Sequence, residues 1–155
     1  MSIRITKVLS WEEYCDLGEW AVKNGFYRND RRVFKPGYAW FNKWYYDPDG
    51  KVRAMVTSKE DNAGFLSIHY WRDWADKRPP IEIVMPNGDY WCPDRKSSNG
   101  TGWTVTGELP NVTCTPSIVS TRRDPPYHGF LTNGCFSDDL DGNPPYDPGE
   151  IDALP

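Results

Sequence analysis

"YHGFLTNGCFSDD" (residues 127–139) decides how this chain is read. Its Asn133-Gly134 pair is the strongest short hairpin signal, because a two-residue type I′ loop needs positive φ at both positions. "YHGFL" and "CFSDD" are therefore expected as antiparallel strands, with Thr132 facing Cys135, Leu131 facing Phe136 and His128 facing Asp139. Upstream, "NVTCTPSIV" (111–119) is expected beside "YHGFL" across the connection "STRRDPP", and "GWTVTGE" (102–108) is a further strand, set off by Leu109-Pro110. "IEIVM" (81–85) and "DYWCPD" (89–94) flank "PNG" as a second hairpin. "YAWFNKWYY" (38–46) and "KVRAMVTS" (51–58) flank "DPDG" as a third, and "GFLSIHYW" (64–71) reads as one more strand.

One helix precedes all of this. Ser10 with Glu13 forms a capping box, apolar residues recur at helical spacing from Trp11 to Val22, and Gly25 is a C-terminal stop. The helix is expected at about 11–24, followed by a loop, "FYRNDRRVFKPG". These elements give an α+β protein, mostly antiparallel, in the form of a β roll or partly open barrel with one N-terminal helix packed on it. Residues 1–139 are expected to form a single domain, and 140–155 an acidic, proline-rich tail, extended or disordered.

Composition narrows the function classes. Aromatic residues make up 15 % of the chain, with 8 Trp and 9 Tyr, so the core should be built from large rings. Trp40, Trp44, Trp71, Trp91 and Trp103 are read first as core. The net charge of −4 argues against binding long nucleic acid. No stretch is apolar enough for a membrane span or a signal peptide, so a cytoplasmic protein with reduced thiols is expected. No cofactor is assigned: Cys92, Cys114, His128 and Cys135 are the one set that would suit zinc, but no two stand at short ligand spacing. His69 reads as a core or stacking residue.

The same hairpin raises a catalytic reading. A serine hydroxyl becomes a nucleophile only with a base in hydrogen-bond reach. If "CTPSIV" pairs with "YHGFL" so that Ser117 faces His128, then Ser117, His128 and Asp139 lie in a row across three strands. They would serve as nucleophile, base and orienting carboxylate, with Asp138 the alternative third member. That requires Ser117 Oγ within ~4 Å of a His128 nitrogen. Against it, no G-x-S-x-G elbow surrounds Ser117, and Pro116 has no N–H for an oxyanion. The structural alternative is a strand-end hydroxyl bonded to backbone and a half-buried imidazole bonded to a carboxylate or carbonyl.

"RPPI", "PNGDYW", "SSNGTGWTVTGE", "PSI" and "YHGFLTNG" resemble a family of small bacteriophage proteins over residues 71–139. Some of its members carry the label ammonia monooxygenase, which nothing in these residues supports. The wider group is similar to proteins encoded beside bacterial ubiquitin-like conjugation genes and proposed to be serine-type peptidases. Their Pro-Ser-Ile and later His match Pro116-Ser117-Ile118 and His128. Their additional cysteines could match only Cys114 or Cys135. The resemblance implies a protein acting in the host cytoplasm, as a peptidase on a host protein or conjugate.

The competing expectation is a non-catalytic binder that blocks a host bacterial defence protein or sequesters a small nucleotide. Aromatic rings with Arg72, Arg95, Arg122 or Arg123 would grip a nucleobase and phosphate. Trp103, Arg95, Asn99, Arg122 and Tyr127 are the candidate binding residues, with the "SSNGTG" loop rimming the site. This reading requires a pocket lined by Trp and Arg.

Overall fold

The computed structural model describes residues 2–45, 49, 78–95, 102–151 and 154. Ser10 opens helix α1 (Trp11–Lys23) with the capping box expected of it. The Ser10 hydroxyl accepts from Glu13 N–H at 3.0 Å, and the Glu13 carboxylate accepts from Ser10 N–H at 2.9 Å. Gly25 ends the helix at φ +85°, where the Phe26 N–H reaches back to the Ala21 carbonyl at 2.8 Å.

Among the described residues nine strands form two sheets. β1 (Ile3–Arg4), β6 (Thr104–Thr106), β7 (Thr113–Ser120), β8 (Tyr127–Thr132) and β9 (Cys135–Phe136) make an antiparallel sheet of order β1-β9-β8-β7-β6. β2 (Lys7–Leu9), β3 (Tyr38–Phe41), β4 (Ile81–Val84) and β5 (Tyr90–Trp91) make the other, of order β2-β3-β4-β5. Among the described strands only β2 and β3 run parallel. The protein is thus α+β: among the described residues it has one helix and two open, mostly antiparallel sheets rather than a closed barrel.

Side-chain alternation along the second sheet stacks these parts into three layers. Ala39, Ile81, Ile83 and Trp91 point towards the first sheet and pack with Cys114, Ile118, Leu131 and Phe136. Trp40, Val84 and Tyr90 point the other way, against α1 and the loop carrying Val33 and Phe34. The large rings form the helix-side core: Tyr14, Phe34, Trp40 and Tyr90 meet edge to face or tilted, with centroids 4.5–6.0 Å apart. Trp40 and Trp91 are core as expected, but Trp44 is half exposed. Trp71 and His69 lie outside the described residues.

The two hairpins with the clearest turns form as read. Thr132 pairs with Cys135 and Leu131 with Phe136, while Ile83 pairs with Trp91 across Pro86–Gly88. The third differs. β3 stops at Phe41, a 3-10 turn follows at Lys43–Tyr45, and β3 is hydrogen-bonded to β2 on one side and β4 on the other. Its expected partner at 51–58, and the strand at 64–71, lie outside the described residues.

Residues 140–151 carry no helix or strand and lie along the body. The Tyr146 N–H donates to the Pro86 carbonyl at 2.7 Å, and the Arg31 guanidinium sits 3.8 Å from the Tyr146 ring centroid. Arg31 also donates to the carbonyls of Asn87 and Asp124. Ile151 and Leu154 pack against the helix-side core.

Candidate functional site

The Asn-Gly turn sets His128 close to Asp139, but not side chain to side chain. β9 ends at Phe136, and Asp139 Oδ1 accepts from the His128 backbone N–H at 2.7 Å. The imidazole Nδ1 lies instead 3.5 Å from the Asp141 carboxylate. On the other side the expected register is corrected: Val119, not Ser117, faces His128. Cys114 pairs with Leu131 and Ile118 with Gly129, so β7 has three residues, 115–117, where β8 has only Phe130. That bulge absorbs the shift and leaves Ser117 diagonal to His128. Diagonal neighbours stand roughly 7–8 Å apart, beyond hydrogen-bond reach, and no hydrogen bond joins the two residues. The Ser117 carbonyl is engaged with Trp103 Nε1 at 3.4 Å.

Asp139 is a turn-former. Its carboxylate also accepts from the N–H groups of Asp141 at 3.1 Å and Asn143 at 2.7 Å, and from the Asn143 amide at 2.9 Å. Desolvation raises its pKa, but these bonds and that from His128 outweigh it and hold the carboxyl below its ordinary value. A depressed folded pKa adds stability above the unfolded value of about 3.9, and that stability is lost as pH falls through the folded value. The gap in urea midpoint between wild type and Asp139→Asn is therefore expected to narrow as pH falls from about 5 to about 3. A gap that stays constant would assign the effect to hydrogen-bond geometry alone.

A different group of residues converges at β5, the last of the described strands of its sheet. Arg95 follows β5, and Arg122 and Arg123 arrive from the β7–β8 connection. With Tyr90, Trp91 and Glu82 they line a cleft of about 480 Å³. Asp89 organises its rim. It is buried, takes a 2.8 Å hydrogen bond from the Ser120 hydroxyl, and Ser120 in turn accepts from the Asn87 amide at 3.1 Å. Arg122 and Arg123 reach Asp89 only at 3.3 Å and 3.9 Å, with side chains 65 % and 43 % exposed. Exposed pairs this loose contribute little to stability, so both arms can turn to another anion. The Tyr90 hydroxyl and Trp91 Nε1 are buried, and among the described residues neither has a hydrogen-bond partner. Such orphans are rare in folded proteins and costly.

Of the candidate binding residues, Arg95 and Arg122 share this cleft. Trp103 packs edge-on against Trp91 at 5.3 Å. Tyr127 belongs elsewhere: it is buried in the inter-sheet core, donates to the Ser137 carbonyl at 2.9 Å, and borders a separate depression formed with Pro86, Asp139 and Pro144. Asn99 lies outside the described residues. Asp89 and Glu82 escaped the sequence reading, since "IEI" and "GDY" look like ordinary strand and turn. Cys92 and Cys114 are core residues; burial drives the first thiol well above its ordinary range and the second to about 12, so neither is a ready thiolate. Cys135 is half-buried on β9. Among the described residues no three His, Cys, Asp or Glu side chains gather as a metal-holding group.

Set against known families, curated proteins and solved structures, the chain matches none of them.

Proposed function

We propose that this protein is a non-catalytic binder of a small phosphate-bearing ligand of mononucleotide size, held at the β5 cleft. The observation that carries the reading is the convergence of Arg95, Arg122 and Arg123 on one cleft with Trp91, in a chain whose net charge is −4. Guanidinium forks match phosphate oxygens two at a time, and arginine beside aromatic surface suits a phosphate joined to a flat ring. The cleft volume falls within the range of small-molecule sites. The phage resemblance supports a role in the host cytoplasm, sequestering a host nucleotide. No helix among the described residues is long and apolar enough to cross a membrane.

The serine-hydrolase reading lacks comparable support, because Ser117 and His128 are not hydrogen-bonded and Val119 occupies the place opposite the imidazole. Calorimetric titration with nucleoside monophosphates tests the proposal. Saturable binding is expected, weakened roughly tenfold by Arg122→Ala, in keeping with the loss of a charge-assisted hydrogen bond. No binding at millimolar ligand would overturn it. So would fluorophosphonate labelling that disappears in Ser117→Ala, which would restore the hydrolase.

A further inference from the structure

Glu82 is a charged residue of the cleft that arginine–phosphate recognition leaves without a role. It sits on β4 opposite Trp40, on the helix side of the sheet. Its Oε2 accepts from Trp40 Nε1 at 3.0 Å, and its Oε1 from the Asn42 amide at 2.6 Å. A carboxylate offers about four lone-pair sites, so roughly half its capacity is used. Among the described residues no cation lies within ion-pair distance of it. Desolvation raises its pKa, against the pull of the Asn42 and Trp40 hydrogen bonds and the charge of Arg95. An ionised group removed from water without a counter-ion or full hydrogen bonding is a liability to the fold. Yet the side chain borders the cleft, and among the described residues each oxygen accepts only one hydrogen bond, which leaves an acceptor position on each.

We propose that Glu82 reads the base of the bound nucleotide, and that the base is guanine. The inference rests on the cleft being the anion site. The two open positions, one on each oxygen, call for two parallel N–H donors. Guanine presents such a pair, its ring N1–H and its 2-amino group, and they meet a carboxylate in the same two-pronged way as an arginine fork. Adenine presents one donor beside a ring-nitrogen lone pair, which would point at a carboxylate oxygen. Hypoxanthine keeps N1–H and lacks the amino group. The arginines then take the phosphate, and Glu82 supplies the discrimination. A site built to hydrogen-bond a polar group rejects the analogue lacking it far more strongly than an apolar pocket rejects a missing methylene.

The test is a titration of the wild type with GMP, IMP, AMP and inorganic pyrophosphate at one salt concentration. Affinity is expected in the order GMP, IMP, AMP, with GMP about tenfold or more tighter than AMP. Glu82→Gln should erase most of that preference, while pyrophosphate, which engages only the arginines, should bind no more weakly than to wild type, since the carboxylate beside Arg95 has lost its charge. Equal affinity of the wild type for GMP and AMP would overturn the assignment of Glu82 and leave the anion cleft standing. Failure of all four ligands to bind would overturn both. The wild-type series decides the matter on its own should Glu82→Gln fold poorly.

Discussion

Replacing Asp94 with alanine is expected to remove roughly 3 kcal/mol of folding stability, the loss from breaking a buried ion pair. Asp94 is fully buried. Its carboxylate takes both Arg78 nitrogens, Nη1 at 2.8 Å and Nη2 at 3.0 Å, and the Ile81 backbone N–H at 2.9 Å. It ties the turn after β5 to the start of β4, where the Pro79-Pro80 pair leaves two backbone nitrogens without hydrogens. Alanine would leave the Arg78 guanidinium, only 25 % exposed, facing a hole, and the Ile81 N–H without its acceptor. The cost comes from breaking a buried bidentate pair and leaving the Ile81 N–H without its acceptor, while Arg78 keeps its bond to the Pro79 carbonyl. Asp94→Asn keeps an acceptor for Ile81 and should fall between the two. Urea denaturation reads the effect, and a loss under about 1 kcal/mol would show that the bidentate pair does not hold β4 in place. Arg95 is the next residue, so ligand affinity should fall along with stability.

Gly129→Ala is expected to cost about 3 kcal/mol, the upper end for overpacking a filled core. Gly129 pairs with Ile118 in the middle of β8, and its φ is not the reason for the glycine. The reason is Tyr127, two residues earlier on the same face. The Tyr127 ring lies across the glycine, so an added Cβ would collide with the Tyr127 hydroxyl and stand 2.6 Å from the Ser137 Oγ. Both are fixed: the hydroxyl donates to the Ser137 carbonyl, and Ser137 Oγ accepts from the Phe130 N–H at 3.0 Å. Evicting the ring would also break its edge-on contact with Phe136, 5.9 Å between centroids. A double-mutant cycle isolates this cause. Tyr127→Leu removes the hydroxyl that the new methyl strikes, so Gly129→Ala should cost less in that background than in wild type, the contact with Ser137 Oγ remaining. Simple additivity of the two substitutions would assign the glycine another role.

How much of this was legible beforehand depends on how local the physics is. The α1 capping box and the Asn133-Gly134 turn are settled within a few residues, and both form as their chemistry dictates. A two-residue turn leaves no freedom in register, which is why Leu131 meets Phe136. The β7–β8 connection has no such turn, and the bulge at 115–117 answers to packing across the sheet rather than to any nearby signal. The alignment of Ser117 with His128 failed there. β1 and β2, two and three residues long, are too short to carry a period, and the parallel pairing of β2 with β3 skips the whole helix. At the cleft, Arg95 and Arg122 stood out as arginines near aromatic residues. Glu82 looked like the solvent side of a strand because nothing in "IEIV" tells that Trp40 of β3 and Asn42 just after it reach its carboxylate.

The pairing of β1 with β9 has a consequence for how the molecule is made. Ile3 lies against Phe136, 133 positions later. At about 5–20 residues per second, roughly 7–27 s of synthesis separate the two. Throughout that interval the first sheet has no place for its outermost strand, and β2 likewise waits for β3 before it can pair. β1 and β2 are thus made well before the strands that lock them in place. Contacts this distant along the chain make for slow folding, and it is in this interval that a chaperone would find the unpaired N-terminal strands.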